Sequence, residues 1–156
     1  MSAALAENTS LESILSRARQ AAQEHGTPYA GGISPHDAWA LVQAGAGALV
    51  DVRTAEERKF VGQVPGSAHV PWATGTSLTR NPRFVRELEA KVRKDEVVLL
   101  LCRSGKRSAL AAEAATKAGF QSVFNVLEGF EGELNAAQQR GTGDGWRFQG
   151  LPWAQD

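Results

Sequence analysis

The chain has 156 residues, the size of one domain and enough to bury a proper core. Lys and Arg number 17, as do Asp and Glu, so the formal net charge is zero and there is no electrostatic case for nucleic acid or an anionic membrane as partner. A single cysteine excludes an internal disulfide and an internal resolving thiol, the isolated histidines offer no metal-ligand spacing, and no apolar run approaches the roughly 18 residues of a membrane span.

The first eight residues lack the basic head and apolar stretch of a signal peptide, so a cytoplasmic protein needing neither metal nor cofactor is expected. Thr9-Ser10-Leu11-Glu12 reads as a capping box, with Thr9 as N-cap. Leu11, Ile14, Leu15 and Ala18 then share one helical face, and Gly26 with Pro28 ends the helix. Residues 1–28 are therefore expected as a helical extension, packed on the domain or used to bind a partner. Tyr29 to Ile33 is a glycine-weakened strand. Ser34-Pro35-His36-Asp37 opens a short helix with an N-cap, a first-position proline and an early acid. His25 suits a helix carboxyl end, and His36 reads as merely exposed.

Ala48 to Val52 is the next strand, delivering Asp51 and Arg53 near its carboxyl end. Pro65-Gly66-Ser67 is a turn before a short strand from Ala68 to Pro71, in which His69 reads as a packed structural residue. Asn81-Pro82 starts a capped helix with Phe84, Val85, Leu88 and Val92 buried and Glu87 paired with Lys91 outside. Val97 to Leu101 is an unbroken apolar run, the pattern of a strand buried on both faces of a parallel sheet. From Ser108 the alanine-rich text is strong helix former, closed by Gly119. Ser122 to Leu127 is the last strand, and Glu128-Gly129 ends it on the same edge.

Cys102 thus falls at the carboxyl end of the central strand, where a loop turns into a helix, the place at which open α/β sheets bind ligands. Curled backbone N–H groups and the helix amino terminus form an anion nest. Arg103, Lys106 and Arg107 add three cations within five residues, and Gly105 supplies backbone freedom. Such surroundings favour thiolate over thiol and make a cysteine a nucleophile near neutral pH. They would also draw in a small anionic substrate. A lone cysteine is more often a small buried hydrophobe, but three cations and a glycine beside it argue against that here.

The loop resembles that of the rhodanese-type sulfurtransferases, Cys-x-x-Gly-x-Arg-Ser/Thr, matched here by Cys102, Gly105, Arg107 and Ser108. Asp51-Val52-Arg53, Glu56-Glu57 and Gly62-Gln63-Val64-Pro65-Gly66-Ser67 resemble further landmarks of that family, and the likeness runs from Ile33 to Glu133. Gln63 stands where the family usually has His, and Arg58 replaces a commonly aromatic residue. The resemblance implies that Cys102 takes sulfur from a donor such as thiosulfate, becomes a persulfide, and passes the sulfur to cyanide, a thiol or a protein acceptor. Residues 103–108, Ser104 among them, would then bind substrate and stabilise the thiolate, with Arg103 and Lys106 receiving sulfite. Asp51 is expected to brace the loop by accepting its hydrogens, Arg53 or Arg58 to help hold substrate, and Arg107 to join the nest or turn outward to an acid. The plainer alternative for Arg53, Glu56, Glu57 and Arg58 is a surface ion-pair cluster.

Two rivals are a sulfur carrier served by a specific protein donor, and an oxyanion hydrolase of the cysteine-phosphatase or arsenate-reductase type. The hydrolases space cysteine and arginine as Cys-x5-Arg; this chain has Cys-x4-Arg, a smaller ring suited to sulfur. The expected fold is a three-layer α/β domain over residues 29–140, with a mainly parallel sheet of four or five strands and helices on both faces. A tail at 141–156, carrying Trp146 and Trp153, is expected to pack over the catalytic edge or the side of the sheet.

Overall fold

In the computed structural model, residues 3–155 are described, with side chains from residue 10 onward. Strand β1 (Gly31–Ile33), β2 (Ala48–Asp51), β3 (Ala68–His69), β6 (Val97–Leu101) and β7 (Ser122–Val126) form one sheet in the order β1-β7-β6-β2-β3. Every neighbouring pair is parallel. The most apolar run in the chain therefore occupies the centre, where a strand has both faces covered.

Side chains along a strand alternate between faces, and β6 divides accordingly. Val98 and Leu100 join one core with Phe84 and Leu88 of α4 (Phe84–Lys91), Val92 just after it, and Ala111, Ala112 and Ala115 of α5 (Lys106–Lys117). Leu99 and Leu101 join the other, with Leu11, Ile14 and Ala18 of α1 (Ala3–His25) and Ala38 and Leu41 of α2 (Pro35–Gln43). Full burial of each such aliphatic side chain stabilises by about 1.5–3 kcal/mol, so both helical layers are anchored on one five-residue strand. Cys102, the next residue, falls on the α4/α5 side. Among the described residues no helix is long and apolar enough to cross a membrane.

Several local expectations are corrected. Helix α1 begins at Ala3, so the chain does not enter it at Thr9, whose side chain lies outside the described residues. Glu87 does not pair with Lys91: its Oε1 accepts from Asn81 Nδ2 at 2.7 Å, while Asn81 Oδ1 accepts the Arg83 N–H at 3.0 Å. Asn81 thereby joins the turn before α4 to the helix's first turn. The polar stretch before it contains an antiparallel hairpin, β4 (Ala73–Thr74) with β5 (Thr79–Arg80), where the Arg80 guanidinium lies 3.7 Å from the Trp72 ring centroid. Ser34 caps α2 by accepting the Asp37 N–H, with Pro35 in the first turn, as its sequence signature requires.

The carboxyl-terminal segment covers the α1/α2 side. Trp146 is fully buried there, its Nε1 donating to the Pro152 carbonyl at 2.9 Å and its ring meeting Trp39 edge-on. Gln63 and Ala154 exchange two backbone hydrogen bonds of 2.9 Å, and Trp153 packs edge-on against Phe130. The tail's backbone also meets the turn after β7, the Trp146 N–H donating to the Gly129 carbonyl at 2.8 Å.

Candidate active site

Strand β6 ends at Leu101 and α5 begins at Lys106, leaving four residues to reverse the chain. Gly105 adopts φ +99°, left-handed backbone that glycine enters without strain. That turn aims its N–H at Cys102 Sγ, 3.1 Å away. Among the described residues it is the one loop N–H within hydrogen-bonding reach of the sulfur. The second donor is a side chain: Ser108 Oγ, on the first turn of α5, lies 3.2 Å from Sγ. Both complement a sulfur anion, and Cys102 is only 1% exposed.

Asn125, a polar residue inside β7, completes this network and sequence reasoning missed it. Its Nδ2 donates to the Gly105 carbonyl at 3.1 Å, which fixes the amide so that Oδ1 faces Ser108 Oγ at 2.5 Å. A hydroxyl has one hydrogen. The Ser108 hydroxyl therefore donates to Asn125 while the sulfur keeps its proton and can turn to Sγ when the sulfur is anionic. The signal was available: Val123-Phe124-Asn125-Val126 places an amide where the neighbouring strand residues are buried and apolar.

The outer loop carbonyls are held from below. Phe130 N–H donates to Cys102 O at 2.8 Å, and the N–H groups of Glu131 and Gly132 donate to Arg103 O at 2.9 and 3.2 Å. Gly129 makes that approach possible: a Cβ there would stand 2.5 Å from the Ser104 nitrogen and against the Arg103 carbonyl.

The three loop cations separate. Arg107 turns outward and binds Glu57 with two parallel bonds, Nη1 to Oε1 at 2.7 Å and Nη2 to Oε2 at 2.9 Å. Glu57 belongs to α3 (Ala55–Phe60), where it forms a reciprocal capping box with Thr54. Burial pushes the Glu57 carboxyl upward, but the Arg107 guanidinium, the Thr54 N–H and the Arg53 charge outweigh it and hold the group below its ordinary value. For Arg107, burial disfavours the charge, and Glu57, the Cys102 sulfur and Asp51 more than restore it. Arg103 and Lys106 are exposed and have no carboxylate partner among the described residues.

Asp51 and Arg53 require correction. Asp51 is in register with Leu101, so alternation sends its side chain to the face opposite Cys102, and it accepts nothing from the loop. Instead it takes Arg53 Nε and Nη2, at 3.0 and 2.7 Å, and Arg58 Nη1 at 3.0 Å. Arg53 is fully buried, donates onward to the Gly62 carbonyl at 2.7 Å, and has its guanidinium carbon 4.2 Å from the Phe130 ring centroid. So enclosed, the Arg53 side chain has no open path to solvent in this structure. Arg58 bridges Asp51 to Ser67 Oγ, so both arginines brace the chain around Gly62–Ser67. His69 Nε2 bonds the Arg53 carbonyl at 2.7 Å, a structural role; His25 Nδ1 bonds the Ala21 carbonyl at the end of α1, and His36 is exposed. No cluster of residues suited to a metal occurs among the described residues.

The family model described as a rhodanese-like domain matches residues 34–136. The chain belongs to the rhodanese-like family. The crystal structure of Rv0390 from M. tuberculosis superimposes with a TM-score of 0.74 and 44% identity, covering 82% of this chain and 99% of that one. An uncharacterized protein of Rickettsia prowazekii is 35% identical over 107 residues, 67% of this chain and 80% of its own. Thiosulfate sulfurtransferase GlpE of Actinobacillus pleuropneumoniae is 31% identical over 120 residues, 77% of this chain and 89% of its own.

Proposed function

We propose that this rhodanese-like domain is a sulfurtransferase that moves the outer sulfur of thiosulfate, or of a related small anionic donor, to cyanide, a thiol or a protein acceptor. The observation that carries the reading is the pair of donors on Cys102 Sγ, the Gly105 N–H at 3.1 Å and the Ser108 hydroxyl at 3.2 Å. Preorganised donors stabilise the charge that the sulfur carries as nucleophile and as persulfide. The likeness to a named thiosulfate sulfurtransferase supports the choice of donor.

In the first half-reaction the Cys102 thiolate attacks the outer sulfur of thiosulfate. A new S–S bond forms, the old one breaks, and sulfite leaves with the bonding pair toward Arg103 and Lys106. In the second, the acceptor attacks the outer sulfur of the persulfide and the pair returns to Cys102 Sγ. Because the chain has one cysteine, the acceptor must come from outside. Arg107 stays bound to Glu57 throughout and holds the helix end of the loop in place.

The deciding measurement is the intact mass of the protein before and after thiosulfate, and again after cyanide. One added sulfur on Cys102, removed by the acceptor, is the expected result. An unchanged mass on a protein whose cysteine still alkylates would defeat thiosulfate as donor.

A further inference from the structure

Two cavities flank helix α3. The larger, about 350 Å³, lies beside the Cys102 loop, with Glu56, Arg103 and Arg107 among its walls. The smaller, about 200 Å³, is lined by Ala55, Arg58 and Lys59 of α3 together with Gln63 and His69. Its volume falls below the range of about 300–1,000 Å³ typical of organic ligand sites and suits a small ion with part of its hydration shell.

Arg58 and Gln63 stand where the rhodanese-type pattern usually carries an aromatic residue and His, and both line this smaller cavity. The two departures therefore meet at one place. No carboxylate lines it, and the charge behind it is unbalanced. Asp51 is fully buried and serves both Arg53 and Arg58, while Glu57 is committed to Arg107 by two bonds. Two guanidiniums on one carboxylate leave a surplus positive charge where solvation is restricted. Lys59, exposed and without a carboxylate partner among the described residues, adds a second.

The cluster is also short of acceptors. Arg53 Nη1 is buried with no partner. Arg58 spends only Nη1, on Asp51 and Ser67, so Nε and Nη2 have no partner among the described residues. The Gln63 side-chain amide is likewise uncommitted, and its backbone is held by the pairing with Ala154. His69 donates from Nε2 to the Arg53 carbonyl at 2.7 Å, which fixes its ring in the wall.

We infer that this cavity binds a small tetrahedral dianion of the sulfate or phosphate type, at a site separate from the Cys102 loop. Arg58 Nε and Nη2 form the side-on fork that matches two oxygens of such an ion. Lys59 supplies the second charge, and the Gln63 amide a further N–H. A monoanion would leave one of the two positive charges uncompensated. Sulfur transfer at Cys102 is not a premise of this site, and either reading can fail without the other.

The test is a titration of the full-length protein followed by two-dimensional amide NMR, with sulfate and inorganic phosphate added separately at constant pH and ionic strength. Saturable shifts are expected at Arg58, Lys59, Gln63 and His69. Saturation by either ion supports the site, and the tighter of the two identifies the ion it prefers. Half-saturation should weaken about fivefold or more in Lys59→Gln and in Arg58→Gln. Lys59 is exposed and unpaired, so its variant keeps the test decisive if loss of Arg58 unfolds the chain. Shifts confined to residues 103–108, shifts that grow linearly without saturating, an unchanged response in Lys59→Gln, or equally tight binding of acetate would each overturn the inference.

Discussion

Arg107 and Glu57, fifty residues apart in sequence, form a two-pronged ion pair of 2.7 and 2.9 Å that ties the Cys102 loop to helix α3. Replacing Glu57 by Gln leaves the guanidinium half-buried beside a neutral amide. Stability should fall by about 1–3 kcal/mol, between the values typical of exposed and buried pairs, and turnover should fall several-fold as the loop loosens. Thermal unfolding and steady-state sulfur transfer check both.

The same pair predicts a pH dependence. Because Glu57 is held below its ordinary value, the unfolded chain binds more protons than the folded one between the two values, and stability rises with pH there. The contribution is complete above the unfolded glutamate value of about 4.3 and is lost as pH falls through the lower native value. Glu57→Gln, though weaker at neutral pH, should therefore lose less of its remaining melting temperature than wild type between about pH 5 and about pH 3. Equal losses would show that Glu57 is not the group responsible.

Arg53→Met leaves Asp51 buried with Arg58 as its sole cationic partner. Breaking a buried pair from one side costs about 3–5 kcal/mol. Purified variant that still folds should keep its KM for thiosulfate near wild type, since Arg53 is enclosed. A large rise in KM at unchanged stability would restore the substrate-binding role expected from sequence.

Gly129→Ala should be more damaging than its size suggests. The residue has φ +69°, and its new methyl group would collide with the backbone of Arg103 and Ser104. A destabilisation of at least about 2 kcal/mol is expected, together with loss of persulfide formation at temperatures where the variant remains folded.

Arg103→Ala should raise the KM for thiosulfate, and do so more than for an uncharged donor. Lys106→Ala should have the smaller effect, because Arg103 lines the cavity beside the loop and Lys106 does not. Equal effects on charged and uncharged donors would refute the charge argument. Cys102→Ser, tested in parallel, should gain no sulfur at all.

The parallel sheet was legible because its signals are local. The run from Val97 to Leu101 and the Pro35 helix start need no distant partner to be read. The geometry of the candidate site was legible where the loop sequence alone dictates it, as at Cys102 and Gly105. It was not legible where strand register decides: whether Asp51 faces Cys102 depends on its pairing with Leu101, and a shift of one residue reverses the answer. Arg53 reads as a surface charge until Phe130, far along the chain, covers it. The capping-box pattern occurs both at Thr9 to Glu12 and at Thr54 to Glu57, and only the second starts a helix. Between the two, what differs is outside the motif: good helix formers precede Thr9, whereas a strand and Val52-Arg53 precede Thr54.

The burial of Cys102 sets different size limits on the two halves of the proposed cycle. With 1% of the residue exposed, a donor must present a slender sulfur tip to the bottom of the ring, and bulky electrophiles are turned away. Once loaded, the reactive atom sits farther out by one S–S bond, about 2 Å, where a much larger acceptor can meet it. On the proposed cycle, the same four-residue turn would admit only a slender donor yet serve a larger acceptor.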